Sequence, residues 1–368
     1  MKHSFTTEIE RILKKNYPKN STYIFNNSEL LQYLNQKTKS ANKGAKARGS
    51  FGNIYSVYVL IEDYIKKGFV KSGKYSDYEG AKFSDIFKRQ RELPFGAKLQ
   101  NHALNHRLNQ EFKKYFPTCD YIPIIRIAAT NKYWINENLL KINVGRKKIN
   151  VAETIIEVIN AYIQVKKNAF DKFIKTCNQL KSISNKNKNK IIEFIEELLA
   201  PNVDARIFEI VSFAILKYFY HNQTVYFGFD LDSIDEENLK LYKTGRTNAN
   251  DGGIDFVMKP LGRFFQVTET TDAKKYFLDI DKLEKFPITF VVKSENTVKE
   301  LKKQLKKNAE AQYPVKSIVK KYINCIEEII NIPILIERFE ISVKSGYLKK
   351  ILTEIIIQSK VEFNYEEE

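Results

Sequence analysis

Between residues 247 and 269 the chain reads TNANDGGIDFVMKPLGRFFQVTE. Two carboxylates, Asp251 and Asp255, flank a Gly-Gly bend, and Gln266, Thr268 and Glu269 follow in a second apolar stretch. A buried carboxylate beside an amide oxygen and a hydroxyl offers the all-oxygen donor set that suits Mg²⁺, an ion that orients water and stabilises charge in phosphoryl transfer. Gly252 and Gly253 would let a bulky backbone approach, because glycine has no Cβ. Asp251 can equally shape the bend itself.

These residues need a hairpin to bring them together. Pro260-Leu261-Gly262-Arg263 supplies turn chemistry between the apolar runs. A four-residue loop pairs Lys259 with Phe264, sets Asp255 opposite Thr268 and leaves Gln266 diagonal on the same face. A five-residue loop pairs Met258 with Phe264 and turns Asp255 toward Phe265, Val267 and Glu269, since one step of register flips every side chain. The shorter loop is the expectation. Upstream, DARIFEIVSFAILKYFYH reads as a helix with Glu209 close to the apolar face of Ala205, Phe213 and Leu216. TVYFGFDL then reads as a strand, DAKKYFLDIDKLEKF as a helix and PITFVVK as a strand. That order is expected of an α/β layer, α+β over the whole chain.

A helical Glu, then Asp-Gly-Gly-x-Asp, then a strand carrying Gln-x-Lys is the pattern of the PD-(D/E)XK nuclease superfamily in its Mrr-like branch. FEIVSFAIL, NDGGIDFVM and RFFQVTE resemble those three elements over roughly residues 200 to 295. The resemblance implies a mixed central β-sheet flanked by helices. It also implies a Mg²⁺ site with Asp255 as principal ligand, Gln266 in place of the usual acidic ligand and Glu209 in support. This chain departs from the pattern at Thr268, where the superfamily usually has the Lys that orients water or neutralises charge. The Vsr-type mismatch nucleases also place Thr there. Lys259, Arg263, Lys274 and Lys275 are the nearby candidates for the missing cation.

The first half carries a different set of polar groups. In FKRQRELPFGAKLQNHALNHRLNQEFKKYF, Leu104, Leu108 and Phe112 mark a buried helical stripe, while Asn101, Asn105 and Asn109 recur at every fourth position. With Gln100 and Arg107 these are types that read base edges. Arg89 and Arg91, with Lys88, Lys113 and Lys114, suit phosphates. The basic stretch KSANKGAKARGSFGN, with Arg48, is a candidate phosphate-contacting loop ahead of a helix. It lacks Walker spacing, and with no ATP-binding motif in the chain no ATP is expected. His102 and His106 have metal-ligand spacing but no third partner. Helical patterns in NIYSVYVLIEDYIKKG and VAETIIEVINAYIQVKK, with a strand in YIPIIRIAA, make this a largely helical DNA-recognition region over residues 1–180. The polar stretch KSISNKNKNK, 181 to 190, serves as a linker. Residues 190–368 form the nuclease-like domain, whose apolar C-terminal elements pack on its core or on a second subunit. The N-terminal segments are similar in general look to those of the ApaLI-like restriction enzymes.

Charge agrees with a polyanionic partner. The 368 residues hold 61 Lys+Arg against 44 Asp+Glu, a net charge of +17, which attracts nucleic acid. An AT-rich genome would also enrich Lys over Arg. Three scattered cysteines exclude a disulfide framework and a zinc knuckle. The absence of a signal peptide or a long apolar run points to a cytoplasmic protein with no membrane contact. The resulting expectation is a type II restriction endonuclease acting on double-stranded DNA with Mg²⁺, as a homodimer matched to palindromic sites. The alternatives are a modification-dependent Mrr-type nuclease, for which Tyr133 and Trp134 would contribute an aromatic base pocket, and a non-catalytic DNA-binding protein with a degenerate core.

Overall fold

Apolar residues at helical spacing in the first half and short β-branched or aromatic runs in the second produce a mixed α+β chain. The structure is a computed structural model that describes residues 2–40, 47–71, 74–97, 99–182, 188–244 and 254–363. Two units emerge, one of residues 1–173 with 363–368 and the other of 174–362. The division falls inside one long helix rather than in the stretch 181–190, of which 183–187 lie outside the described residues.

In the first unit, helices α1 (Thr6–Asn16), α2 (Ser21–Asn27), α3 (Glu29–Ser40) and α4 (Ala47–Lys66) precede a short strand β1 (Ala81–Lys82) and α5 (Phe83–Glu92). A π-helical turn over Ala103–Arg107 leads into α6 (Leu108–Tyr115). Strands β2 (Ile124–Ile127) and β3 (Lys132–Ile135) join β1 in a sheet ordered β1-β3-β2, and β4 (Lys141–Val144) pairs with β5 (Lys147–Asn150). The long α7 (Ala152–Ser182) crosses the unit boundary. Ile9, Leu34, Ile54, Leu108 and Ile155 are fully buried in a shared core, so the stripe anticipated at Leu104, Leu108 and Phe112 does face inward. α4 begins at Ala47, so the latter part of the basic stretch 39–53 is helix; residues 41–46 lie outside the described residues.

In the second unit, α8 (Lys188–Glu197) and α9 (Ala205–Tyr220) come first, and Asp204 caps α9 by accepting the Arg206 N–H at 2.9 Å. The strand expected in TVYFGFDL is β6 (Thr224–Phe227), which with β7 (Asp235–Asn238) forms an antiparallel ribbon separate from the main sheet. That sheet contains β8 (Lys240–Lys243), β9 (Phe256–Lys259), β10 (Arg263–Thr268), β11 (Ile288–Val292) and β12 (Ile326–Ile330) in the order β12-β11-β10-β9-β8. β10, β11 and β12 run parallel, whereas β8 and β9 are antiparallel additions. α10 (Ala273–Lys282) connects β10 to β11; α11 (Val298–Gln312) and α12 (Lys316–Asn324) connect β11 to β12; α13 (Ile332–Lys344) and α14 (Leu348–Phe363) end the chain.

Alternation along the strands assigns the two sheet faces. Phe256 and Phe265 meet α9, with Phe213 over Phe256 at 5.2 Å and Tyr220 beside Phe265 at 6.0 Å between ring centroids. The opposite face carries Ile288, Phe290 and Val292 and packs on α10 to α12; Tyr276 lies 4.1 Å from Phe290. Gln266 and Thr268 pair in register with Phe290 and Val292 and therefore lie on the α10 side.

The hairpin differs from expectation by one step at each strand. Met258 pairs with Arg263, so the loop is Lys259 to Gly262, and Lys259 does not pair with Phe264. Gly262 explains the shift: it takes φ +67° and donates its N–H to the Met258 carbonyl at 2.9 Å, closing the loop before Arg263. Both strands move by one step together, so the loop keeps its four residues. The paired register ends with Phe256 against Phe265, and Asp255 lies one residue beyond it.

Candidate functional site

Asp255 lies just ahead of β9 and interrupts its ladder. Its N–H donates to the Phe265 carbonyl at 3.0 Å, and its carbonyl accepts the Thr244 N–H at 3.0 Å. Its own carboxylate, instead of a backbone oxygen, accepts the Val267 N–H at 2.7 Å. The carboxyl is held at the end of the sheet, with its pKa pushed up to about 7. Burial is the largest cause and the Glu209 carboxylate the second, opposed by the Val267 N–H, Lys243 and Lys275.

Those neighbours arrive from both sides of the sheet. On the α9 side, Glu209 forms an ion pair with Lys243 at 2.8 Å, and both side chains are mostly covered. Lys243 pairs in register with Phe256, which fixes its face. On the α10 side, Gln266 is 8% exposed, and its Oε1 is buried without a hydrogen-bond partner. Thr268 Oγ1 accepts from Lys275 Nζ at 3.2 Å and from the Thr270 N–H at 3.3 Å, leaving its own hydroxyl hydrogen to be donated.

Of the four cations proposed for the missing Lys, Lys275 on α10 is the one that touches Thr268. Lys259 lies over the Tyr242 ring, and Arg263 is bound to Glu327, Glu328 and Thr289 at the other end of β10. Lys274 is exposed in the first turn of α10. Asp251, Gly252 and Gly253 lie outside the described residues.

Sequence reasoning missed two lysines. Lys243 has no motif; it meets Glu209 because β8 joins the hairpin. Lys293 at the end of β11 is buried, bonded to the Val203 carbonyl and paired with Glu269 Oε1 at 2.6 Å. That pair ties the residue after Thr268 to the loop before α9.

The fit to Mg²⁺ can be judged from the donors. Among the described residues, no three His, Cys, Asp or Glu side chains gather as a metal site. The Asp255 and Glu209 carboxylates do interact, and the Gln266 amide oxygen lies on β10 next to Val267, whose N–H holds Asp255; all three are hard donors. Two features favour a cation there: the orphaned Gln266 Oε1, and the Asp255 carboxyl, whose ionisation burial and the Glu209 carboxylate both disfavour. A divalent ion would satisfy both, with Glu209 shared between it and Lys243.

The residues anticipated at a DNA surface in the first unit are largely engaged internally. Arg89 makes a two-pronged contact with Glu62 at 2.8 and 2.9 Å, and Arg91 donates to the Ala97 carbonyl. Asn109 holds both the N–H and the carbonyl of Ile124, and Asn105 accepts the Tyr133 hydroxyl. Gln100 and Arg107 are exposed, Asn101 is half-buried, and Arg48 falls in the first turn of α4. His102 and His106 stand 6.2 Å apart between ring centroids. Trp134 donates to the Tyr78 carbonyl and packs against Gly80, while Tyr133 is buried, so both rings are committed to the unit's interior.

No helix among the described residues is long and apolar enough to cross a membrane. No family model, curated protein or solved structure matches this chain.

Proposed function

We propose that the second unit is a PD-(D/E)XK-like nuclease core and that the chain is a Mg²⁺-dependent endonuclease for double-stranded DNA, of the type II restriction class. The observation that carries this reading is the buried Asp255 at one end of a mixed sheet, acted on by Glu209 and Lys275, with Lys275 bonded to Thr268 and the unpartnered Gln266 Oε1 on the adjoining strand. They come from a helix, two strands and the following crossover helix.

Asp255, Gln266 and Glu209 would hold the ion, which when bound supplies positive charge to orient water and stabilise the phosphate. The protein's own groups account for the rest. The Val267 N–H fixes the Asp255 carboxylate in place. Lys275 places an ammonium beside Thr268, where it can offset charge growing on the phosphate oxygens. The Thr268 hydroxyl, already accepting twice, donates outward to a phosphate oxygen or to the attacking water. In the hydrolysis, a water oxygen bonds to phosphorus, one ester P–O bond breaks, and the departing oxygen leaves as a hydroxyl while the water gives up a proton to solvent.

A second reading has one observation in its favour: the Lys243 ammonium already occupies the Glu209 carboxylate, as in a core that binds DNA without cutting it. Incubation of wild type and Asp255→Ala with unmethylated phage DNA, in Mg²⁺ or EDTA, separates the two on a gel. Discrete bands from wild type in Mg²⁺ alone support the nuclease. Intact DNA in every lane, with retained binding, supports the second reading, and cleavage confined to methylated DNA indicates the modification-dependent class.

A further inference from the structure

The β6–β7 ribbon departs from the chain's usual chemistry. Residues 224–238 contain five acidic residues and no Lys or Arg, in a protein of net charge +17. At its tip Phe229 is 96% exposed and Leu231 87%, and Tyr226 on β6 is 76% exposed. Large apolar side chains so far out of the fold call for a partner surface. The tip is nevertheless built: Asp230 accepts the N–H groups of Asp232 and Ser233, and Ser233 Oγ accepts those of Phe229 and Asp230. A Cβ at Gly228 would sit 2.4 Å from the Ser233 carbonyl oxygen, so the turn closes only over glycine.

The ribbon precedes β8, one edge of the five-stranded sheet, and the complementary chemistry lies at the opposite edge. Residues 298–324, spanning α11 and α12, hold eight Lys and two Glu. Between these helices and β12 opens a cavity of about 320 Å³ lined by Lys302, Leu305, Ile323, Asn324 and Ile326. Leu305, Ile323 and Ile326 give it an apolar floor, and Lys302 on the Lys-rich α11 supplies its cation. The ribbon leads into β8 through Leu239, whose N–H donates to the Gln223 carbonyl, whereas the cavity abuts β12. β8 and β12 are the two edges of the five-stranded sheet. Four strand spacings, roughly 19 Å, separate them.

We propose that the acidic, apolar ribbon tip of one chain docks into the basic cavity beside β12 of a second copy. Apolar insertion supplies the affinity, and the charge contrast selects the partner. Ribbon against ribbon would set like charge on like, so the contact is between unlike surfaces. Two such contacts made reciprocally close a dimer.

Sedimentation velocity of the full chain across a concentration series tests this. A dimer is expected whose dissociation constant rises at least tenfold in Phe229→Ser/Leu231→Ser, with an unchanged circular dichroism spectrum, and which weakens with added salt. A charge exchange gives the decisive arm. Asp232→Lys/Glu236→Lys and Lys302→Glu/Lys306→Glu are each expected to be monomeric alone and to form a heterodimer when mixed, because mixing restores both contacts. A wild type that stays monomeric at low salt, a dimer indifferent to the ribbon variants, or a mixture that fails to associate overturns the proposal. None of these readouts depends on DNA cleavage.

Discussion

Asp255 sets the terms at the scale of single residues. Its carboxyl is raised from the ordinary 3.8 to about 7 in the folded chain by burial and by Glu209. A carboxyl raised on folding contributes stability that is fully present below the unfolded pKa and is lost as pH climbs to the folded one. In EDTA, Asp255→Asn is therefore expected to melt above wild type at pH 8, with the gap narrowing toward pH 4; a pH-independent gap in Tm would contradict the assignment. Mg²⁺ should raise the wild-type Tm at pH 8 and leave the Asn variant unmoved. Lys275→Ala removes a charge beside Thr268, and on the proposed reading it lowers cleavage about 10²-fold with little change in DNA affinity. Lys275→Arg would recover part of that loss.

At the scale of elements, the period of a strand was the most legible feature. The placement of Gln266 and Thr268 on one side of β10 follows from alternation alone. The loop limits were not legible, because Gly262 closes the turn with a hydrogen bond that no spacing reveals. Nor was the fate of the asparagines. Their four-residue repeat is real, yet it passes through a π-helical turn and directs Asn105 and Asn109 toward β3 and β2. Lys243 meets Glu209 across a strand and a helix distant in sequence, so no local pattern could pair them. Asn109→Ala, which strands the N–H and carbonyl of Ile124, is expected to cost about 1–3 kcal/mol in urea unfolding. Arg107→Ala, at an exposed position, should stay within about 0.5 kcal/mol and weaken DNA binding if that face contacts phosphates.

For the whole molecule, the net charge of +17 makes a prediction separate from catalysis. DNA affinity, measured by fluorescence anisotropy, should fall linearly on a log–log plot with added salt, with a slope set by the number of phosphates neutralised. A flat response would refute a phosphate-tracking surface and leave the Lys surplus as a trace of base composition.

The candidate site is supplied from both faces of its sheet, and this bears on how the chain is made. Glu209 rides on α9 and Lys275 on α10, with the Asp255 and Gln266 strands between them. A ribosome delivers these in order, and the fifth component arrives only with α10. β11 and β12, which α10 to α12 must cover, emerge later still. If the chain cuts DNA, a growing polypeptide stays inert until its last layers close, so a cell would face the activity only from finished molecules.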